Sequence, residues 1–310
     1  MNPLLPGLPF HSWTDTRKTL HLFLQVIGKV RMHLSPRKNH WWHITLYTDS
    51  RGFRTGPIPC HGGYESLDIV LDVHVHAVFI LDSLGSEHVI DLESGLSVAD
   101  FYHQLRGTLE DMGVPCDILA RTYDVDPDAR FEELTDMDTY DAEAVQKFWR
   151  IMHWSDLVFQ EFSGRTCAKT SPVQLFWHHM DLAVTRFSGQ PGAPMPESAK
   201  LADKEAYSHE VISFGFWAGD ENVQFPAYYS YTAPSPEGLD QEPLEPAAAS
   251  WQDANGSPMA ILAWDDVRKA PDPRQALLAF LESAWLAGAR RANWPIDDLT
   301  LAPLPGHAAD

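Results

Sequence analysis

The sequence predicts an α+β protein made of two tandem diverged repeats, packed about a pseudo-two-fold axis. Three observations predict it. First, the chain echoes itself at a constant offset of 136: residues 22–47 (LFLQVIGKVRMHLSPRKNHWWHITLY) lie without a gap over residues 158–183 (VFQEFSGRTCAKTSPVQLFWHHMDLA). Gly28 falls on Gly164, Ser35-Pro36 on Ser171-Pro172, Trp41 on Trp177 and His43 on His179. Second, helical and strand-like periodicities follow in the same order in both halves. Third, the strands come in runs instead of alternating with helices, as antiparallel sheets require.

Each repeat reads as helix, antiparallel strands, helix, short strand. In the first, residues 1–123, a helix is predicted over 16–27, where Leu20, Phe23, Leu24 and Ile27 recur at i, i+3, i+4 and i+7. Strands follow at 28–34, 41–48, 67–73, 76–81 and 87–91. The run LDIVLDVHVHAVFIL is β-branched and alternating, as a half-buried antiparallel strand should be. A helix at 97–112 opens on Ser97 with Asp100 three residues on, a variant of the capping box. Residues 124–142 form an acidic linker.

The second repeat, residues 143–310, opens with a helix over 143–162. Strands are predicted near 165–170, 174–185, 209–216 and 224–231, followed by a Pro/Glu-rich loop at 232–249. The next helix starts at Asp272-Pro273, an N-cap followed by proline at the first helical position. The echo continues here with drift: ESLDIVLD (65–72) lies over YSHEVISF (207–214), which sets His209 on Leu67.

Composition narrows the function. Of 310 residues, 44 % are apolar and 21 % charged, which means a globular chain. A net charge of −20 repels phosphate backbones and anionic lipid, so neither nucleic acid nor a membrane surface is an expected partner. No apolar run reaches the roughly 20 residues that span a bilayer. The opening MNPLLPGLPFHSW lacks a basic stretch and is broken by prolines, so no secretory signal is expected and the cytoplasm is the predicted compartment. Cys60, Cys116 and Cys167 stand apart and form no Cys-x-x-Cys pair, so neither a disulfide framework nor a thiolate zinc site is indicated.

Among chemical candidates, DVDPDARFEELT imitates a calcium loop through Asp124, Asp126 and Asp128. It has Ala129 where glycine is needed and Thr135 in place of the bidentate glutamate, so a solvated linker is the better reading. His74 and His76 share one face of a strand, as a metal pair would, yet the solvent face of an amphipathic strand explains them as well. No metal site is predicted, and no motif names a cofactor. Nucleophile elbows, phosphate loops and dinucleotide fingerprints are all missing.

The denser constellation lies in the second repeat: His178, His179, Asp181, Arg186 and His209-Glu210. Leu67 belongs to an apolar stripe, so His209 at the equivalent position should face inward and meet a carboxylate or hydroxyl. His209 and Glu210 then suit general acid-base work, with Asp181 beside them and Arg186 gripping an anionic substrate group. The plainer alternative is a core histidine satisfied by hydrogen bonds. In NHWWHITLY, strand alternation puts Trp41, His43 and Tyr47 on one face and Trp42, Ile44 and Leu46 on the core face. Asn39, His40, Trp41 and His43, with Tyr207, are candidate ligand-binding residues, because aromatic walls with polar tips suit an organic molecule.

The stretches GKVRMHLSPRKNHWWHITLY, RGFRTGPIP, SPVQLFWHHMDLAVTRFSG and EAYSHEVISFGFWAG give the chain a further meaning. In them it resembles a bacterial family of uncharacterised proteins built on a domain of unknown function. The resemblance runs over nearly the full length and implies kinship without an activity. It implies that Asn39, His40, Trp41, Asp181, Arg186, Ser188, Tyr207, His209 and Glu210 lie in family motifs, and it speaks against a metal role for His178-His179. Two functions remain open at this level. One is a small-molecule enzyme using a His/Glu/Asp/Arg pocket between or within the repeats. The other is a non-catalytic ligand-binding or scaffold protein with an aromatic-lined pocket. In either case the partner is a small molecule, anionic if the arginine holds it.

Overall fold

The first helix, α1 (Thr14–Leu34), runs two turns beyond the end predicted for it. In this computed structural model, which describes residues 4–301, the segment 28–34 is helix and not strand. The reason is burial. Val26, Ile27 and Val30 continue the apolar stripe at 1–3 % exposure, so packing overrides their β preference. The helix stops at Ser35, which is extended (φ −79°, ψ 142°) because Pro36 disfavours helical geometry before it.

The described chain divides into two compact units that are not contiguous in sequence. The first holds the chain up to Trp154, together with Gln174–Leu182 and Trp217–Pro226. The second holds Ser155–Val173, Ala183–Phe216 and the chain from Ala227 on.

In the first unit, a 3-10 turn at Asn39–Trp41 replaces the start of the strand predicted at 41–48. Six short strands belong to its sheet: β1 (Tyr47–Thr48), β2 (Gly52–Arg54), β3 (Ile58–Cys60), β4 (Glu65–Asp72), β5 (Ala77–Asp82) and β6 (Glu87–Asp91). The order is β1-β2-β4-β5-β6, with β3 also paired to β4, and every pairing is antiparallel. Leu67, Ile69, Leu71 and Val73 form the predicted buried stripe. His74 and His76 lie in the turn between β4 and β5, so they do not share a strand face. His74 bonds the Ser50 carbonyl and His76 the Tyr140 hydroxyl. Helix α2 (Val98–Asp111) is capped as predicted, the Ser97 hydroxyl accepting from the Asp100 N–H. Phe23 and Phe101 join α1 to α2 at 4.4 Å between ring centroids. Residues 124–142 are acidic yet not simply solvated, because Phe131, Leu134 and Tyr140 among them are buried. Helix α3 (Ala142–Ser163) follows, and β7 (Gln174–Phe176) returns to the first unit, where Leu175 pairs with Leu46.

The second unit contains all but the ends of β8 (Asp181–Pro191) and β9 (His209–Trp217), together with α4 (Leu201–Ala206), β10 (Ala227–Ala233), β11 (Ser250–Ala254) and β12 (Ser257–Ala263). Helices α5 (Trp264–Lys269), α6 (Pro273–Arg291) and α7 (Ile296–Leu299) complete it. Its strands lie in the order β11-β12-β10-β9-β8. The β11–β12 hairpin was not predicted, although Asn255-Gly256 at its turn, both with positive φ, is a hairpin signal. The strand predicted at 165–170 is absent; Thr166 and Thr170 make only isolated bridges. Asp272 caps α6 with Pro273 in its first turn, as the sequence indicates. The core is aromatic: Phe159, Phe162, Phe214, Phe216, Tyr228 and Trp264 are all below 2 % exposure. Among the described residues, no helix is long and apolar enough to cross a membrane.

Candidate functional site

Once α1 is seen to reach Leu34, Arg31 falls four residues after Ile27, on the buried stripe. A charge at such a position needs an explanation. Arg31 is 6 % exposed, and its Nε donates to the His43 carbonyl at 3.1 Å. Nη2 reaches the Tyr47 hydroxyl at 3.4 Å, and the guanidinium lies 4.9 Å over the Tyr47 ring. Nη1 has no hydrogen-bond partner among the described residues, and no carboxylate forms an ion pair with this side chain there.

The Leu46–Leu175 bridge brings Gln174 opposite Tyr47. Gln174 is 1 % exposed, and neither of its amide atoms has a hydrogen bond of normal geometry among the described residues. Burial alone would raise the Tyr47 phenol; the Arg31 charge and the neighbouring Gln174 amide outweigh it and hold the phenol below its ordinary value. Gly56 closes the arrangement with φ +68°, its position for a side chain 3.6 Å from Arg31 Nη1.

The NHWWH segment meets this cluster through the His43 carbonyl that Arg31 holds. His40 (φ 54°) and Trp41 (φ 61°) are successive non-glycine residues in the left-handed region. Each costs on the order of 1–2 kcal/mol, and such strain is concentrated at functional sites. Trp41 stacks on His43, with centroids 5.4 Å apart and planes 26° apart, and its buried Nε1 has no hydrogen-bond partner among the described residues. The Lys38 N–H donates to His43 Nδ1 at 3.3 Å, which leaves the ring proton on Nε2. Burial, with Arg37, Arg31 and Lys38 nearby, lowers the His43 pKa, so the imidazole is neutral. Trp41, His43 and Tyr47 are thus grouped, as alternation suggested, but through a turn and not a strand. Asn39 is exposed, and His40 is buried beside Trp42 at 5.2 Å.

The remaining candidates are distributed as follows. Asp181 opens β8 within the part of the chain that belongs to the first unit. Arg186, in the second unit, is 1 % exposed. Its guanidinium lies 3.6 Å over Phe162 and 4.8 Å over Trp285, donates to the Phe162 carbonyl and has Glu282 at 4.0 Å. Burial lowers its pKa to about 10, against the pull of Glu282. Glu210 accepts from the Ser188 hydroxyl at 2.8 Å. His209 is partly exposed, with Nδ1 3.1 Å from the Ser208 hydroxyl. As neighbours on β9, His209 and Glu210 point to opposite faces. Tyr207 shares a hydrogen bond with Tyr231 at 3.1 Å.

Sequence reasoning missed Arg31 because it ended α1 too early, and missed Gln174 because only the fold brings it to Tyr47. A separate groove of about 360 Å³ on the first unit is lined by Asp91, Glu93 and Asp100, a charge unsuited to anions.

A family model matches residues 5–301, nearly the whole chain. The chain belongs to DUF5996, a family of unknown function. The DUF5996 match takes in the Arg31 cluster together with β8 and β9. No curated protein and no solved structure matches the chain.

Proposed function

We propose that this DUF5996 protein binds a small organic anion in its first unit, with Arg31 as the counter-charge and Trp41 and Tyr47 as aromatic walls. One observation carries the reading: Arg31 is 94 % buried, reckoned from its 6 % exposure, and has no carboxylate partner among the described residues. An unpaired charge out of water is expensive, so a folded chain keeps one where an anion comes to meet it. The Nη1 donor, the Gln174 amide and the Tyr47 hydroxyl offer directed hydrogen bonds, and guanidinium favours planar carboxylate or phosphate groups. The catalytic reading of His209, Glu210, Asp181 and Arg186 has less behind it, since Arg186 already has Glu282 beside it and His209 faces away from Glu210.

The test is a fluorescence titration of the full chain with aromatic and aliphatic carboxylates and inorganic phosphate, Trp41 being the reporter. Arg31→Met should weaken binding about 10–100-fold, the value of a charged hydrogen bond. Arg106→Ala, which alters an exposed charge on α2, should change it little. If no anion binds, or if Arg31→Met binds as well as the natural protein, the reading fails.

Two further parts of the reading rest on the chain itself. Duplication is supported by the offset echo and by a helix, a run of strands and a helix in each half: α1, β1–β6, α2 and α3, β7–β12, α6, the second half with the short helices α4 and α5 added. A cytoplasmic location is supported by three free cysteines, which a reducing compartment preserves.

A further inference from the structure

Where β3 turns into β4, the antiparallel register sets Cys60 directly opposite Glu65. Side chains opposite each other leave a sheet on the same face, with Cβ atoms about 4.5–5.5 Å apart. His61 opens the 3-10 turn that joins the strands, and His61, Gly62 and Gly63 are all left-handed, at φ 47°, 71° and 86°. This tight reversal folds the imidazole back over the pair: His61 Nε2 lies 3.7 Å from Glu65 Oε2. One donor atom from each residue, the Cys60 thiol, the His61 imidazole and a Glu65 oxygen, lies within 4.8 Å of the other two. Glu65 has no lysine or arginine partner among the described residues.

We infer that Cys60, His61 and Glu65 form a three-ligand site for a zinc-type divalent cation, with the fourth position left to water. Sulfur, nitrogen and oxygen together match a borderline-soft ion, whereas magnesium and calcium prefer oxygen alone. Bond lengths of about 2.0–2.3 Å put the ligands of one tetrahedral ion roughly 3–4 Å apart. The trio must therefore close by about 1 Å, which the exposed His61 and partly exposed Glu65 side chains can do by rotation. Cys60 is 8 % exposed, so the thiol is held firmly while the other two ligands face solvent. The spacing Cys-His-x-x-x-Glu resembles no Cys-x-x-Cys motif, and only the hairpin register assembles it. The site shares no residue with the Arg31 cluster.

The test uses the full chain stripped with chelator, then titrated with zinc against a chromophoric chelator and separately with cobalt(II). One equivalent of zinc should bind, and cobalt should show a thiolate-to-metal charge-transfer band that Cys60→Ser removes. His61→Ala and Glu65→Gln, at solvent-facing positions, should each weaken zinc at least ~10-fold with unchanged thermal melting. Absence of zinc binding overturns the proposal. So does a cobalt spectrum without the thiolate band, or zinc affinity indifferent to both variants, which would place the ion elsewhere.

Discussion

Replacing Gly28 by alanine sets two physical effects against each other. Gly28 lies in the interior of α1, where alanine is the better helix former by about 1 kcal/mol. Propensity alone therefore predicts a more stable protein. A Cβ built at this position would lie 2.1 Å from Trp177 Cδ1 and 2.2 Å from Cγ, whereas carbon atoms settle at about 3.5–4.0 Å. The indole would have to retreat by roughly 1.5 Å. Trp177 is 3 % exposed and its Nε1 donates to the Ile44 carbonyl at 2.8 Å, so retreat also loses a buried hydrogen bond. Overpacking costs about 1–3 kcal/mol and the bond about 1 kcal/mol, which leaves a net loss of about 1–3 kcal/mol. Urea unfolding followed by tryptophan fluorescence measures it. Gly164→Ala is the internal control, because its Cβ would meet only the Glu161 and Gln160 carbonyls at 3.4 and 3.6 Å. Its effect should stay within about 0.5 kcal/mol. If Gly28→Ala raises the unfolding midpoint, or the two variants behave alike, the close contact with Trp177 is refuted.

Two other predictions concern buried polar groups. Burial lowers His21 to about 4 and His178 to about 3, each from an ordinary 6.5. Well above pH 6.5 neither state is protonated; as pH falls through it the unfolded chain takes up protons that the folded chain refuses, so stability should fall steadily toward pH 4. His21→Gln should flatten that slope in pH-dependent unfolding, and an unchanged slope would exclude His21 as its source. In the second unit, Ser155 and Tyr228 are both fully buried and bonded at 2.8 Å. Tyr228→Phe should cost about 1–2 kcal/mol by orphaning the Ser155 hydroxyl, and adding Ser155→Ala should restore part of it. Strict additivity of the two changes in urea unfolding would contradict the pairing.

How far the sequence could be read follows from the range of the interactions involved. The β4–β5–β6 meander and the caps at Ser97 and Asp272 depend on neighbouring residues, and all were legible. The end of α1 was misread because Val26, Ile27 and Val30 satisfy both a strand and a buried helix, and only tertiary packing chooses. NHWWH was recognised as unusual for its aromatics, but its left-handed turn leaves no mark in strand periodicity. Arg31 and Gln174 were invisible as a pair, since a bridge between Leu46 and Leu175 brings them together. The Cys60 trio likewise depends on hairpin register, which composition cannot report.

The first unit borrows Gln174–Leu182 and Trp217–Pro226 from far along the chain, and this has a consequence for biosynthesis. When Trp154 leaves the ribosome, α1 still lacks the indole that covers Gly28, and Leu46, just before β1, lacks its Leu175 partner. At about 5–20 residues per second, the 72 residues from Ser155 to Pro226 take roughly 4–14 s to appear. During that interval the nascent amino-terminal part carries an uncovered apolar helix face and an open backbone edge at Leu46. Such surfaces are what holding chaperones recognise, and the amino-terminal unit cannot finish folding before Pro226 has been made. A nascent chain stalled after Trp154 should remain open to protease, whereas one stalled well beyond Pro226 should resist it.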